Sequence, residues 1–523
     1  MPDCTFFTTA IDYTNAAPHI GHAYEKVLTD VFARFEKLSG RSVYFLTGVD
    51  QHGQKVQQSA EKEGLSPLEF AQQCTTKFVS LWQQLGVQYD GWAATTDPLH
   101  KQAVQRILQQ LFNSGKLYKQ AHRGFYSVRQ EQFLTDKERT ESGEFGPEWG
   151  EVVELEEENW YFRLSEYRDW LLGFIDGHEH FVTPSFRRVE LRNAVEKLSG
   201  DLCISRPKNR LSWGIELPFD TGFVTYVWFD ALINYVSFAG YLADPDSGLP
   251  RFEALWPAKA HVIGKDILIP AHGVYWPIML HAIGFADDQI PDLLVHGWWN
   301  ISGAKMSKST GNVIDPAALA AHYGVTALRY YLMADISTGK DADFSEERLR
   351  MRFNDELANN VGNLLNRTLN MAHRYRAGVL RKIASPDPDL AQLALRDAPN
   401  AVVTYTDAMA RYQVDAALDA AIQLARACNQ LIESSAPWKL AKDPAQAERL
   451  DAVLYHLAEA IRIVAILLHP VLPDASLSIL AQLAVDTTPS LHDAVWGRLE
   501  DGHVLGLPVP LFPRLEPPPA VAE

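Results

Sequence analysis

Apolar residues recur three and four positions apart between residues 21 and 40. Tyr24, Val27, Leu28, Val31, Phe32, Phe35 and Leu38 fall on one side of a predicted helix that stops at Gly40. Just upstream, residues 4–10 are dense in β-branched and aromatic side chains, the signature of a strand. The first segment therefore reads as strand, loop and helix start. Residues 42–46 read as a second, buried strand, with the polar stretch TGVDQHGQK (residues 47–55) at its carboxyl end. Ser66-Pro67-Leu68-Glu69 combines an N-cap, a proline at the first helical position and a capping-box glutamate. Asp97-Pro98 opens another helix that ends near Gly115. Strands alternating with helices predict an α/β fold built on a parallel sheet.

The pattern changes at Lys116. Residues 117–128 read as short strands or a hairpin, residues 135–158 are acidic and glycine-containing, and residues 161–175 return to helical spacing. Residues 116 to about 219 are expected to be an insertion, with the acidic run 151–158 a solvated surface. Residues 221–235 (TGFVTYVWFDALINY) then resume the sheet as a strand running into a helix, whose face carries Trp228, Ala231 and Tyr235. HVIGKD (residues 261–266) predicts one more strand ending in a glycine-containing loop. Beyond the N-cap Ser345 the chain is helical almost to its end. There Asn359, Asn363 and Arg367 form a polar stripe, and Pro437 starts a helix with Trp438 close to its beginning. The triple proline at 517–519 predicts an extended tail.

Composition narrows the class. A chain of 523 residues, 47% hydrophobic and 22% charged, is that of a globular protein of three or more structural units, and no apolar run is long enough for a membrane span. Nor does the start have the form of a signal peptide, so a cytoplasmic protein is expected. The four cysteines, at 4, 74, 203 and 428, are too scattered for a disulfide framework or a C-x-x-C zinc site. The net charge of −17 argues against broad nonspecific attraction to nucleic acid, while leaving room for local phosphate sites.

Candidate chemistry begins at His19-Ile20-Gly21-His22. At a helix start, free N–H groups and the helix dipole favour an anion, and two imidazoles can donate to phosphoryl oxygens. Gly21 adds no Cβ to obstruct a nucleotide lying against the backbone. The same histidines could merely cap the helix or face solvent, and these four residues alone do not decide. Asp50 and His52, at a strand's carboxyl end, are site candidates, and Asp266 lies where a carboxylate could hold a ribose. Lys305 and Lys308, set among Gly303, Ser307, Ser309 and Gly311, suit a polyphosphate-contacting loop, or equally a solvated turn.

Taken in order, these stretches resemble one family, the class I methionyl-tRNA synthetases. The resemblance spans nearly the whole chain: TTAIDYTNAAPHIGHAYE, GVDQHGQK, YVWFDALINYVSFAGY, HVIGKDI, HGWWNISGAKMSKSTGNVIDP, LANNVGNLLNR and APWKLAK. It implies a Rossmann-like parallel sheet interrupted by a connective insertion and followed by an α-helical bundle that binds the anticodon. The corresponding division is a catalytic domain at 1–115 and 221–291, the insertion at 116–220, a stem-contact region with the Lys-Met-Ser-Lys-Ser loop at 292–345, the bundle at 346–515 and a tail at 516–523. It also implies activation of methionine by ATP, then transfer to tRNA(Met), with charge stabilisation and positioning as the catalytic means. By the resemblance, His19, His22, Lys305 and Lys308 would be catalytic. Gly21, Gly264, Asp266, His296, Gly297 and Ser307 would join them in binding ATP, with Mg²⁺ sharing the neutralisation of the phosphates. Asp50 would receive the methionine ammonium, and Ile11, Tyr13, Trp228, Ala231, Tyr235 and His272 would enclose the thioether. Asn359, Asn363, Arg367, Pro437 and Trp438 would read the anticodon through base edges and stacking.

The chain departs from the family at three places. Where relatives often carry cysteine pairs in the insertion this chain has Tyr126-Ser127-Val128, so no structural zinc is expected. Asp12 stands where an apolar or aromatic residue is common. Ile269-Pro270-Ala271-His272 contains one residue more than the usual run. The chain also ends soon after the helical bundle, without the appended tRNA-binding domain of some relatives, and a monomer is expected.

Overall fold

The computed structural model describes residues 4–516 except 129–131, 135, 141, 302–303, 306–313 and 384–386. The chain divides into two compact units: Met1–Ala17, Leu46–Val79 and Tyr89–Val295 form the first, and Pro18–Phe45, Ser80–Gln88 and His296–Glu523 the second.

The first unit is organised by a seven-stranded sheet. Along it run Asp12–Tyr13, Val43–Asp50, Thr5–Thr9, Ala260–Gly264, Leu293–His296 and Val182–Thr183, with Gly91–Ala94 also paired to Val43–Asp50. The registers are parallel, with Phe7 opposite Ala260, Leu46 opposite Gly91 and Leu293 opposite Val182. Its central strands are near-continuous apolar runs, as a sheet covered on both faces requires: Phe6, Phe7, Leu46, Val49, Val262 and Ile263 are all buried. The expected helix starts are present. The Ser66 hydroxyl accepts from the Glu69 N–H while the Glu69 carboxylate accepts from the Ser66 N–H, and Asp97 caps Leu99.

Two expectations are corrected here. The strand Asp220–Thr225 does not resume the parallel sheet; it lies in a separate three-stranded antiparallel sheet between Ser205–Pro207 and Glu216–Leu217. Its first half is solvent-facing, with Thr221 and Gly222 exposed, whereas an inner strand of a parallel sheet is covered on both sides. Conversely Val182–Thr183, inside the insertion, closes one edge of the parallel sheet. Residues 117–128 are mostly one long strand, Leu117–Ser127, paired antiparallel along its whole length with Val152–Phe162. The acidic run belongs to that second strand, where Glu154, Glu156 and Glu158 are exposed at alternate positions.

The second unit begins with the helix Ile20–Leu38. All seven apolar residues expected to be buried in it are buried, but so are Glu25, Lys26, Asp30 and Glu36. Such burial requires partners. Lys26 pairs with Glu25 at 2.7 Å, and Asp30 accepts from Arg34 at 2.9 Å and from Arg329 at 2.7 Å. Arg329 also donates to the carbonyls of Val471, Leu85 and Pro470. Further on, the short strand Trp299–Ile301 pairs with Ala304–Lys305 and Ala342–Asp343. Ser345 caps its helix by accepting from the Arg348 N–H. Helices of 22 residues, Val414–Ser435 and Ala447–Leu468, pack on one another, the latter buried on nearly every side.

Candidate active site

The two histidines of the second unit stand at the start of Ile20–Leu38 in a reciprocal arrangement. His19 is the N-cap, and its Nδ1 accepts from the Gly21 N–H at 3.1 Å, while the Nδ1 of His22 accepts from the His19 N–H at 3.1 Å. With Nδ1 acting as acceptor on each ring, the proton of each neutral imidazole is on Nε2, so both present an Nε2–H donor. The rings lie 3.9 Å apart. Gly21 has a local reason to lack a side chain: a Cβ there would come within 2.9 Å of the His19 ring. The glycine thus makes room for the capping imidazole, a cause nearer at hand than a nucleotide.

Four residues downstream, Glu25 forms a buried cluster. Its carboxylate accepts from Lys26, and from His296 Nε2 at 3.1 Å, while His296 Nδ1 is 2.8 Å from the Gly297 carbonyl. Burial pushes the Glu25 carboxyl upward, but Lys26 and His296 together hold it below its usual value. His296 thus spends both ring nitrogens on protein partners. Gly297 packs so closely on the Lys340 carbonyl that no Cβ fits there. Lys305 is a strand residue, opposite Asn300. Ser307 and Lys308 lie outside the described residues.

The first unit gathers the residues expected around methionine. Tyr13 lies opposite Asp50 in a parallel register, and Asp12, buried, opposite Val49; Ile11 precedes them in the loop. The Tyr13 hydroxyl covers the backbone of Gly53, which has φ +107, and the Val227 side chain approaches from beyond. Next to Val227 stands Trp228, half-buried, whose ring meets the edge of His272 at 6.3 Å. The Tyr235 hydroxyl is 2.8 Å from His272 Nε2, and His272 Nδ1 is 3.0 Å from the Ile267 carbonyl, which can only accept. Ala231 is buried one helical turn before Tyr235. His272 lies in a π-helical segment, Leu268–Tyr275, that is kinked where Ile269 is extended. Gly264 ends its parallel strand, and Asp266 follows, exposed, at the carboxyl edge of the sheet.

Sequence reasoning missed much of what supports these side chains. Glu25 and Lys26 resembled ordinary surface residues of an amphipathic helix. Nothing in the local pattern around Asp230 or His100 marks a site, and His52 is marked only by its place at a strand end. Yet Asp230 is a carboxylate inside the apolar run YVWFDALINYV, and a charge in such a run is itself a signal of a buried, partnered group.

The polar stripe is also in the second unit. Asn359 and Asn363 are both exposed, across the end of a π-helical segment, Phe353–Gly362. Arg367 pairs with Glu433 at 2.7 Å, and its guanidinium lies 5.9 Å from the Trp438 ring centre. Pro437, buried, starts the short helix Pro437–Leu440 that carries Trp438.

The family described as tRNA synthetases class I (M) matches residues 5–143 and 149–369, and the anticodon binding domain of methionyl tRNA ligase matches residues 388–518. The chain belongs to the class I methionyl-tRNA synthetases. It is 40% identical to the methionine–tRNA ligase of Rhizobium meliloti (strain 1021), over 98% of this chain and 99% of that one. With the Bacillus subtilis (strain 168) methionine–tRNA ligase it shares 38%, over 98% of this chain and 78% of the relative. Among solved structures it is similar to Mycobacterium tuberculosis methionyl-tRNA synthetase in complex with methionyl-adenylate, with a TM-score of 0.90 and 35% identity over 98% of this chain and 100% of that one. The free state of the same enzyme gives 0.84 and 33%, over 99% of each chain. The activity of the chain is the ATP-dependent ligation of methionine to tRNA. Its fold is the class I parallel sheet with its insertion, and a mostly helical carboxyl-terminal part.

Proposed function

We propose that the Asp50 side of the first unit receives methionine and that His19 and His22 of the second unit donate to the phosphates of ATP. The observation that carries the second assignment is the pair of Nδ1 acceptors, which puts the proton of each imidazole on Nε2. The carboxylate of methionine attacks the α-phosphorus, pyrophosphate departs, and the methionyl group then passes to the terminal adenosine of tRNA(Met). Donors already fixed by backbone bonds need no reorganisation as negative charge shifts during attack. Lys305, Ser307 and Lys308 act on the departing pyrophosphate, and Gly264 and Asp266 on the ribose. Mg²⁺ would share the charge neutralisation on the phosphates.

For methionine, Asp50 takes the ammonium in a charge-assisted bond. Trp228, Tyr235, Ala231 and His272, with Tyr13 and Ile11, form the thioether wall, and polarisable aromatic faces suit sulfur. For tRNA, the exposed amides of Asn359 and Asn363 read base edges and Trp438 stacks on an unpaired base, with Arg367 beside it. Among the described residues no helix is long and apolar enough to cross a membrane.

ATP–pyrophosphate exchange tests the amino acid assignment. Methionine is expected to stimulate exchange, and leucine, isoleucine, valine and cysteine to do so far more weakly. Stimulation by one of the others in preference to methionine would transfer the site to that amino acid.

A further inference from the structure

Asp230 lies on the helix Val227–Leu232 between Trp228 and Ala231, fully buried in the first unit. Each of its carboxylate oxygens meets one imidazole: Oδ2 is 2.7 Å from His52 Nδ1, and Oδ1 is 2.8 Å from His100 Nε2. Both rings are themselves buried, at 2% and 0% exposure. His100 continues to the Ser237 hydroxyl at 2.8 Å, on the short helix Asn234–Ser237 that also carries Tyr235. Burial pushes the Asp230 carboxyl upward, but His52 and His100 outweigh it and bring it down to about 2. An ionised carboxylate only accepts, so the nitrogen facing it on each ring carries a proton.

We propose that Asp230 is the positioning residue of the methionine site, its carboxylate joining the turn that carries Asp50 to the helices that carry Trp228, Ala231 and Tyr235. The inference rests on the assignment of those residues to methionine. The turn after Asp50 has few ways to move: the Asp50 carbonyl accepts from the Thr14 N–H and hydroxyl, each at 2.9 Å. The Gln51 N–H donates to Thr95 Oγ1 at 2.9 Å, and the Gln51 carbonyl accepts from Trp213 Nε1 at 2.6 Å. These bonds tie the turn to the sheet and to Trp213. The bond from His52 to Asp230 ties it to the helix that carries Trp228 and Ala231. A carboxylate with two acceptor oxygens accepts from both histidines at once, whereas an amide, one end of which is a donor, accepts from only one of them.

The expected consequence is a split in the kinetics. In ATP–pyrophosphate exchange, Asp230→Asn raises the KM for methionine by about 10- to 100-fold and leaves the KM for ATP nearly unchanged, as a small misplacement of binding groups does. His52→Asn and His100→Gln each keep an N–H where the imidazole had one and retain a KM near that of the parent, whereas His52→Ala does not. The far-downfield proton resonances of the two imidazole N–H groups facing a carboxylate are present in the parent and altered in Asp230→Asn. Asp50→Asn and Trp228→Ala, measured beside them, test the methionine assignment itself. If those two raise the methionine KM while Asp230→Asn and His52→Ala lower only the folded fraction, the positioning role is overturned and the site stands. If Asp50→Asn and Trp228→Ala leave the methionine KM unchanged, the site assignment is overturned and the positioning role with it. Should Asp230→Asn not fold, the contrast between His52→Asn and His52→Ala carries the same decision.

Discussion

The indole Nε1–H of Trp276 donates to Nε2 of His261 at 3.1 Å, and because an indole nitrogen can only donate, this bond decides the state of a buried imidazole. Nε2 is the acceptor, so the proton sits on Nδ1 and is donated to Thr8 Oγ1 at 2.6 Å. Tyr235 stacks on that ring with centroids 4.2 Å apart. Burial, and then His272, hold the His261 pKa well below its ordinary value of 6.5. The ring beneath Tyr235 is therefore neutral in the folded protein.

An acid sensitivity follows from it. The unfolded chain takes up a proton at this position as the pH falls through about 6.5, and the folded chain does not, so the contribution to stability is complete above that pH and is lost below it. His469, brought down to about 4 by burial and by Arg34, acts in the same direction. The melting temperature is expected to fall between pH 7 and pH 5, and to fall less in His261→Gln, which cannot titrate. Scanning calorimetry at several pH values checks this; equal slopes for parent and variant would remove His261 from the account.

Glu25 is the partner of two buried cationic or polar groups, Lys26 and His296. Removing one member of a buried pair costs about 3–5 kcal/mol because the remaining charge stays desolvated. Glu25→Ala is accordingly expected to destabilise the protein by about that amount in denaturant titration, whereas replacing a typical surface glutamate such as Glu154 changes stability by less than about 0.5 kcal/mol.

Trp438 is half-buried beside Arg367, on a short helix whose first residue, Pro437, is buried. Stacking of one base on an aromatic ring is worth about 1–3 kcal/mol, so Trp438→Ala is expected to lower kcat/KM for tRNA aminoacylation by about 10- to 100-fold. Pyrophosphate exchange, which does not require tRNA, is expected to remain near the parent value. Comparable losses in both assays would make Trp438 a packing residue.

Much of this architecture is legible locally. Caps at Ser66, Asp97 and Ser345 and the apolar stripe of residues 24–38 depend on neighbours within a few positions, and each is found where the pattern puts it. The strand Asp220–Thr225 lies in a different sheet from the expected one, and a short β-rich segment carries no mark of which sheet it joins. The supports of the site were illegible for a different reason. Asp230 finds His52 and His100 at separations of 178 and 130 residues, and Glu25 finds His296 at 271. No periodicity records such pairings; only the presence of a charge in an apolar run hints at them. The motif His19 to His22 could be read as a helix start, but the role of Gly21 in admitting the His19 ring required the rotamer.

The division of labour between Asp50 and the two histidines is tested most directly by steady-state ATP–pyrophosphate exchange on Asp50→Asn and His22→Ala, with methionine and ATP each varied. A charge-assisted hydrogen bond is worth about 1.5–3 kcal/mol, so Asp50→Asn is expected to raise the methionine KM by about 10- to 100-fold with the ATP KM little changed. His22→Ala is expected to lower kcat by a similar factor and leave the methionine KM near the parent value. If His22→Ala instead raised the methionine KM and Asp50→Asn reduced only kcat, the two assignments would be contradicted.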